Sequence, residues 1–432
     1  MDDDPSKTTV ELIHSTDILP TSYDIDATIS PLGIINVNSR WEDATAEDPY
    51  TLRGNELPNK DLQFSIPEEI DIDAEGGTAT VHSENNVLLK YYDGHYFASI
   101  KNETRDYGLK DNQPDLSNPL TIEAETRLIA LIEKPSSIQP QDLDGRTYGF
   151  VSGLAAAGEG GEFNGVVSGF SYGKTLFSSQ QVINTPLIVS AIETLPSGEL
   201  NYLLEYEDDS DNTPRPFSIS EDGRIEEEES IGYVSEDMSL LINIYNNSEQ
   251  QNPLNEGFIS NHIGVLLNDN TSSDILHGKS YQLIVHWRYQ GGDASFGTGY
   301  IGLLDFSSLT LSIDSNGIAS LNGAGIDRGT DFPLANPDEQ EENLAVNDDP
   351  FEITSDASNN HFMGNVTIAS DGFFSAALTT PEEWGHPLNI RGYIQNGGNF
   401  IVGTMTSIIE FNGEKEGMDS AIFVGIRKVE AE

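Results

Sequence analysis

The 432-residue chain contains no cysteine and few basic residues. Without cysteine it can form no disulfide, no thiolate metal site and no cysteine nucleophile. Lysine and arginine together number 21 against 72 aspartate and glutamate residues, so the formal net charge is −51. Because such a surface repels nucleic-acid phosphates and anionic lipid headgroups, we expect no nucleic-acid partner and a preference for basic partners. Adaptation to a saline habitat would explain the same charge.

Long apolar runs and helical periodicity are also scarce. No stretch approaches ~18 consecutive apolar residues, so no segment is predicted to span a membrane. The opening Met1-Asp2-Asp3-Asp4 is not a signal peptide. We expect residues 1–21 to form a polar tether behind an export signal that has been removed, with any lipid anchor outside this chain.

The chain is instead rich in strand-like runs of about five to nine residues, separated by clusters of Gly, Asn, Asp and Ser. Asp-Gly and Asn-Gly pairs favour tight hairpins because both residues tolerate positive φ. They occur at Asp93-Gly94, Asp144-Gly145, Asp222-Gly223, Asn316-Gly317, Asp371-Gly372, Asn396-Gly397 and Asn412-Gly413. The sequence therefore predicts an all-β fold of two or three antiparallel meander units, barrels or sandwiches, in tandem.

A weak internal repeat suggests where the units begin. Gly145-Arg146-Thr147-Tyr148 and Gly278-Lys279-Ser280-Tyr281 share a Gly, a basic residue, a hydroxyl residue and a Tyr. With the polar linkers between apolar strands, this predicts β units at 22–134, 142–267 and 275–432. Two larger domains are the alternative.

Small residues recur at multiples of four in the predicted middle unit. This spacing places them on one face of a strand, where they permit curvature or close approach of another backbone. A ligand pressed against that face is the alternative. The glycines are Gly145, Gly149, Gly153, Gly161, Gly165, Gly169 and Gly173.

The last unit resembles the barrel domains of transferrin-binding-protein-type surface lipoproteins of Gram-negative bacteria. The resemblance lies in short motifs: Gly278-Lys279-Ser280-Tyr281, Trp287-Arg288-Tyr289, Gly297-Thr298-Gly299, Leu304-Asp305-Phe306, Gly397-Gly398-Asn399-Phe400 and Phe423-Val424-Gly425-Ile426-Arg427-Lys428. It implies an outward-facing lipoprotein that binds a host protein or nutrient. It carries over no binding residue, because such proteins bind through variable loops.

Aromatic residues of the last unit are the candidate ligand-binding residues. Exposed Trp and Tyr side chains suit carbohydrate stacking or protein hot spots. The alternative for Trp384, in a loop-like stretch, is that it plugs a barrel end. The candidates are Trp287, Tyr289, Tyr300, Trp384 and Tyr393.

Calcium is the one cofactor that a pattern suggests. Asp71, Asp73 and Glu75 place oxygen ligands at alternate positions, as calcium loops do. His82 stands at the twelfth position, where such a loop has a carboxylate, so a polar hairpin is the alternative. The eight histidines show no zinc-site spacing, and no catalytic motif is present.

Together these patterns predict a non-enzymatic, exported binding protein at the bacterial surface. Its barrels would present loops to an extracellular protein or small ligand. A structural adhesin, appendage or surface-layer component stabilised by divalent cations is the alternative. A carbohydrate-active enzyme is less favoured, since 72 acidic residues make every apparent carboxylate pair uninformative.

Overall fold

A computed structural model describes the chain over residues 8–14, 23–29, 34–41, 48–57, 59–66, 68–74, 76–82, 85–110, 113–133, 135, 137–157, 166–185, 187–194, 200–208, 213–221, 223–227, 230–246, 259–293, 298–333, 347–359, 361–381, 386–411 and 414–428. Side chains are described for most of these residues from Leu57 onward and for none before Leu57. The chain divides into two compact units. Unit 1 comprises residues 1–17, 21–133 and 338–347, and unit 2 comprises 18–20, 134–337 and 348–432.

Unit 1 contains one ten-stranded antiparallel sheet. Its order is β10-β1-β2-β3-β4-β5-β8-β9-β7-β6, and β9 also pairs with β10. β9 changes partner along its length, because Phe97 pairs with β8 whereas Thr104–Gly108 pairs with β7. The strands are β1 (Thr8–His14), β2 (Tyr23–Ile29), β3 (Ile34–Trp41), β4 (Asp48–Glu56), β5 (Leu62–Ile66), β6 (Glu69–Asp73), β7 (Thr78–His82), β8 (Asn85–Tyr92), β9 (His95–Lys110) and β10 (Gln113–Glu133).

Unit 2 begins with the middle barrel, an eight-stranded antiparallel ring. The ring order is β11-β20-β19-β18-β17-β16-β13-β12, and β12 closes it by pairing with β11. The β14–β15 hairpin extends from β12 outside the ring. The elements are α1 (Pro140–Leu143), β11 (Thr147–Ala157), β12 (Val166–Ser178), β13 (Gln181–Asn184), β14 (Leu187–Thr194), β15 (Leu200–Asp208), β16 (Arg215–Ile219), β17 (Arg224–Glu227), β18 (Ser230–Val234), β19 (Leu240–Asn246) and β20 (Ile259–Leu266).

The C-terminal barrel of unit 2 is a second eight-stranded ring. Its order is β22-β21-β29-β28-β27-β26-β25-β23, with β22 paired to β23, and β24 extends from β23 outside the ring. The strands are β21 (Lys279–Asp293), β22 (Thr298–Ile313), β23 (Ile318–Pro333), β24 (Asn347–Ile353), β25 (Met363–Ile368), β26 (Phe373–Leu378), β27 (Leu388–Ile394), β28 (Phe400–Phe411) and β29 (Glu414–Arg427). The predicted all-β class and tandem antiparallel meander barrels are confirmed. The predicted domain boundaries stay a prediction.

Every second side chain along a strand points inward, and these side chains fill both barrels. On β21 the odd-numbered residues from Tyr281 to Trp287 point inward and belong to one buried cluster. The middle barrel is filled in the same way around Tyr148, Phe177 and Phe217. Burying such aromatic rings supplies much of the driving force for folding.

The internal repeat marks equivalent positions in the two barrels. Gly145 and Gly278 both have positive φ, 80° and 70°, and both lead into a first strand. The Tyr148 hydroxyl donates to the Met238 carbonyl at 2.8 Å, and the Tyr281 hydroxyl donates to the Gly398 carbonyl at 2.7 Å. Each fully buried tyrosine therefore ties the start of its barrel to a hairpin turn at the barrel end.

The small-residue face of β11 packs against the C-terminal barrel. A Cβ atom added at Gly149 would lie 2.3 Å from Cγ of Tyr393, which is on the outer face of β27. Tyr393 packs edge-to-face on Phe373, and Phe373 stacks on Tyr172 of β12 at 5.6 Å between ring centroids. A Lys174–Asp371 ion pair lies in the same interface. Within the described part of β11, the neighbours of the glycine face are side chains of the second barrel, Tyr393 at Gly149 and Ile422 at Gly153, rather than the predicted backbone.

Gly149→Ala is expected to destabilise unit 2 by about 1–3 kcal/mol, because the clash is with Tyr393 atoms near the backbone, which cannot move freely. The measurement is the midpoint of thermal or urea unfolding.

Gly153→Ala on the same strand is the matched control. Its added Cβ would lie 3.5 Å from Cδ1 of Ile422, which is ordinary contact. A strand alanine also loses less conformational entropy than glycine, so we expect an unchanged or slightly raised midpoint. Equal midpoints for the two variants would contradict the proposed role of Gly149.

Candidate functional site

Trp287 and Tyr289, two of the candidate ligand-binding residues, face the interior of the C-terminal barrel. Trp287 is 1% exposed, and its Nε1 donates to Asp419 Oδ1 at 3.1 Å. The half-buried Tyr289 donates its hydroxyl to Asp327 Oδ1 at 2.7 Å. Trp287 and Tyr289 therefore act both in packing and in hydrogen bonding, Trp287 to the buried Asp419 and Tyr289 to the half-buried Asp327.

Burial governs the ionisation of these carboxylates. It raises the pKa of Asp419 to about 7; the Trp287 hydrogen bond opposes this rise, and the nearby Asp327 charge adds to it. Burial also raises the pKa of Asp327, with the Tyr289 hydrogen bond opposing the rise and the Asp349 charge adding to it. The barrel interior thus holds two carboxylates that resist ionisation.

The other aromatic candidates lie elsewhere. Tyr393 is 3% exposed and packs between the barrels, where burial raises its pKa. Tyr300 lies on β22 opposite Gly291. The Tyr300 side chain and all of Trp384 lie outside the described residues. The structure does not bring Trp287, Tyr289 and Tyr393 to one surface, and a ligand-binding role for the five residues stays a prediction.

The predicted calcium ligands Asp71 and Asp73 lie on the exposed strand β6, and Glu75 lies outside the described residues. An extended strand separates alternate residues by roughly 7 Å, whereas a calcium loop curls its ligands around the ion. Across the described parts of the chain, no three His, Asp or Glu side chains cluster as a metal site would require. The calcium site stays a prediction, and it is checked by melting the protein with calcium and with a chelator.

A small interior cavity and a larger outer groove lie among the described residues of unit 2. In the middle barrel, a cavity of about 30 Å³ lies among residues that include Phe150, Phe177 and Ile225. A groove of about 500 Å³ lies outside the C-terminal ring, where β22, β23 and β24 meet, and includes Phe351 in its lining. The larger of these two spaces lies on the outside of its barrel.

The β14–β15 hairpin is the most distinctive outer feature of unit 2. β12 pairs with β13 at one end and with β14 at the other, so β14 and β15 leave the ring as an extension of its sheet. Among the described strands, β15 pairs only with β14 and forms the edge of this sheet.

Contacts with the C-terminal barrel hold β15 in place. Glu205 pairs with Arg391 of β27. The Lys415 ammonium lies over the Tyr202 ring, 5.6 Å from its centroid. Burial of Tyr202, together with the Glu416 charge, raises its pKa to about 12. One side of the hairpin is therefore anchored on the second barrel.

The same strand exposes large apolar side chains. Leu203 is 37% exposed, Leu204 40% and Tyr206 54%. A β-bulge brings Leu204 and Glu205 together opposite Ser190, and Glu205 has a positive φ of 53°. At this bulge Leu204 is exposed and Glu205 reaches Arg391. Leu203 and Tyr206 pair with Ala191 and Val189 and share one face of the hairpin, whereas Leu204 lies at the bulge. We take this edge strand with its three exposed side chains, Leu203, Leu204 and Tyr206, called the β15 edge below, as the candidate functional site.

Sequence reasoning did not identify this edge. The segment Leu200–Asp208 carries apolar residues on both faces of a strand, which in isolation resembles a buried strand. The charge of the segment could have indicated an exposed strand, because a buried central strand would not carry three acidic residues, Glu205, Glu207 and Asp208.

No helix in the described ranges is both long and apolar enough to cross a membrane.

No family model matches the chain, and no curated protein sequence matches it. Among solved structures, it is similar to a mutant of the vaccine antigen transferrin binding protein B from Haemophilus parasuis. That match has 9% identity and a TM-score of 0.26, and covers 99% of this chain and 77% of the other. This match and the resemblance of the sequence motifs point to the same type of protein.

Two further structures are similar over two thirds of the chain. One is a protein of unknown function from the DUF3598 family of Nostoc punctiforme, with 11% identity, a TM-score of 0.20, and coverage of 67% of this chain and 97% of the other. The other is a predicted outer membrane protein from Bacteroides fragilis, with 15% identity, a TM-score of 0.20, and coverage of 66% and 98%. TM-scores this low support no argument about ligand or activity.

Asp419→Asn is expected to stabilise the C-terminal barrel at neutral pH. The folded-state pKa of Asp419, about 7, lies above its ordinary value of 3.8, so the native state binds more protons than the unfolded state between these values. The contribution of Asp419 to stability therefore falls as the pH rises from about 4 to about 7. Asparagine keeps the oxygen that accepts the Trp287 hydrogen bond and carries no charge.

The measurement is the free energy of unfolding of both proteins at pH 4, 5.5, 7 and 8. The advantage of the variant should grow across this range and level off above pH 7, on the order of 4 kcal/mol. Asp269→Asn, at an exposed turn, makes the same substitution on the surface and is the comparison variant. A constant difference at every pH would contradict the ionisation of buried Asp419.

Proposed function

We propose that this protein is exported, associates with the bacterial surface and binds an extracellular protein partner non-covalently, without catalysing a reaction. The observation that carries the proposal is the β15 edge. Leu203, Leu204 and Tyr206 are each exposed on a single edge strand, which contacts the C-terminal barrel through Glu205 and Tyr202. Grouped exposed apolar side chains, and Tyr in particular, are typical of protein interaction sites.

Rigidity supports this proposal. Both barrels are closed and filled, and they pack on each other through Gly149 and Tyr393. A strand fixed to such a support loses little conformational entropy when a partner binds, so more of the interaction energy appears as affinity.

Charge supports a basic partner. The chain has a formal net charge of −51, and Glu205, Glu207 and Asp208 lie on β15 itself. Long-range attraction would speed the encounter with a cationic protein, while the exposed apolar residues would supply contact area once the two surfaces meet. Surface location is supported by the sequence resemblance to the transferrin-binding-protein type of lipoprotein.

The proposal is tested with a photo-crosslinking amino acid at Tyr206, on intact cells and then with the purified partner. A second protein carries the same group at Ser218, an exposed residue of β16, as the control. We expect a discrete crosslinked species from position 206 and none from position 218.

The species is identified by mass spectrometry, and its affinity is measured with purified proteins. Leu203→Glu is expected to weaken binding about tenfold or more, as loss of a central apolar contact does. Equal crosslinking from both positions, or an unchanged affinity of the variant, would contradict a binding role for the β15 edge.

A further inference from the structure

Strand β6 of unit 1 has every side chain exposed. It is the five-residue segment Glu69–Asp73, and all five residues are solvent-exposed. Among the described strands it pairs only with β7, so it forms the edge of its sheet. The β6–β7 pairing runs through five consecutive residue pairs without a bulge. Its outer edge is therefore straight and suited to regular strand pairing.

The two faces of β6 differ in chemistry. Alternation places Glu69, Asp71 and Asp73 on one face and Ile70 and Ile72 on the other. The isoleucine side chains are 45% and 49% exposed. On the acidic face, His82 Nε2 lies 3.8 Å from Asp71 Oδ2.

The isoleucine face continues a buried apolar surface. Ile72 is paired with Ala79 of β7, and Ala79 is paired with Tyr107 of β9. Ala79 and Tyr107 are buried, at 1% and 5% exposure. Because directly paired residues share a face of the sheet, the apolar surface runs from Tyr107 through Ala79 to Ile72, where it meets solvent. One additional strand would extend this surface over its exposed margin.

The acidic face selects what that strand can be. A second copy of β6 would bring carboxylates beside carboxylates, which opposes self-pairing. A segment with Lys or Arg at alternate positions would place its charges beside Glu69 and Asp71. Its intervening apolar residues would then lie beside Ile70 and Ile72.

We propose that β6 accepts, by strand addition, an extended segment of a partner protein in which basic and apolar residues alternate. In this mode, main-chain hydrogen bonds give affinity and the alternate side chains give specificity. The inference rests on the proposed binding function and deepens it, because it names the chemistry of the partner segment. It uses a different strand and a different unit from the β15 edge.

The test measures binding of a fluorescent nine-residue peptide of alternating Lys and Val to the full-length protein by anisotropy. We expect saturable binding that weakens as salt is raised, because surface charges contribute. Two comparison peptides should not bind measurably. One alternates Glu and Val, and the other is the Lys/Val peptide with its central amides N-methylated, which keeps the charges and removes main-chain hydrogen bonding.

Charge reversal locates the binding strand. Glu69→Lys combined with Asp71→Lys is expected to weaken peptide binding roughly 10- to 100-fold, since two favourable ion pairs become repulsive. Glu221→Lys combined with Asp269→Lys changes the net charge equally at exposed positions elsewhere, and should alter binding less than about threefold. Circular dichroism checks that both variants fold.

Ile70→Thr combined with Ile72→Thr keeps β-branched residues and the charges of the strand, and it reduces the apolar area that a partner strand could contact. We expect binding weakened about threefold to tenfold. Equal binding of the N-methylated peptide, or equal losses from the two charge-reversal pairs, would overturn strand addition at β6. Absence of Lys/Val binding combined with specific crosslinking at Tyr206 would overturn this inference and leave the proposed function supported.

Discussion

Antiparallel hydrogen bonding around a closed ring of eight strands is the constraint on which the rest of unit 2 depends. Closure gives every ring strand a hydrogen-bonded neighbour on both sides and leaves the interior to side chains. Aromatic residues such as Tyr148 and Trp287 then fill that interior. Since side chains occupy the described interiors, we expect external partners to bind at the outer surface.

In each of the three sheets, pairing between two strands closes a ring, and one or two further strands extend the sheet outside that ring. A long strand pairs with different partners along its length, as β9 does with β8 and β7, and as β12 does with β13 and β14. The additional strands end in edges at β6, β15 and β24. Open edges normally invite aggregation, and proteins protect them with charge, bulges or short length. β6 is short and acidic and β15 is bulged, so both carry such protection while still exposing apolar side chains.

The interior of the C-terminal barrel shows a second use of acidic residues. Asp419 and Asp327 accept hydrogen bonds from Trp287 and Tyr289, although burial disfavours their charged forms. The chain has 72 acidic residues, and solvent stabilises the charge of most carboxylates. Asp419 is buried and Asp327 is half-buried, so both have less contact with solvent. They orient aromatic rings at a cost in stability that depends on pH.

The sequence alone determined the strand content, the antiparallel meander and the equivalence of Tyr148 and Tyr281, because period-two alternation, Asp-Gly turns and the Gly-basic-hydroxyl-Tyr repeat are local signals. It also placed Gly149 on a face of small residues that leaves room for a close neighbour. Only the tertiary structure decided that the neighbour is Tyr393, that Trp287 and Tyr289 face inward, and that β6 and β15 lie at sheet edges. Local patterns specify which residues share a face of a strand, whereas the partner across that face and the last strand of a sheet are set by pairings between residues distant in the chain.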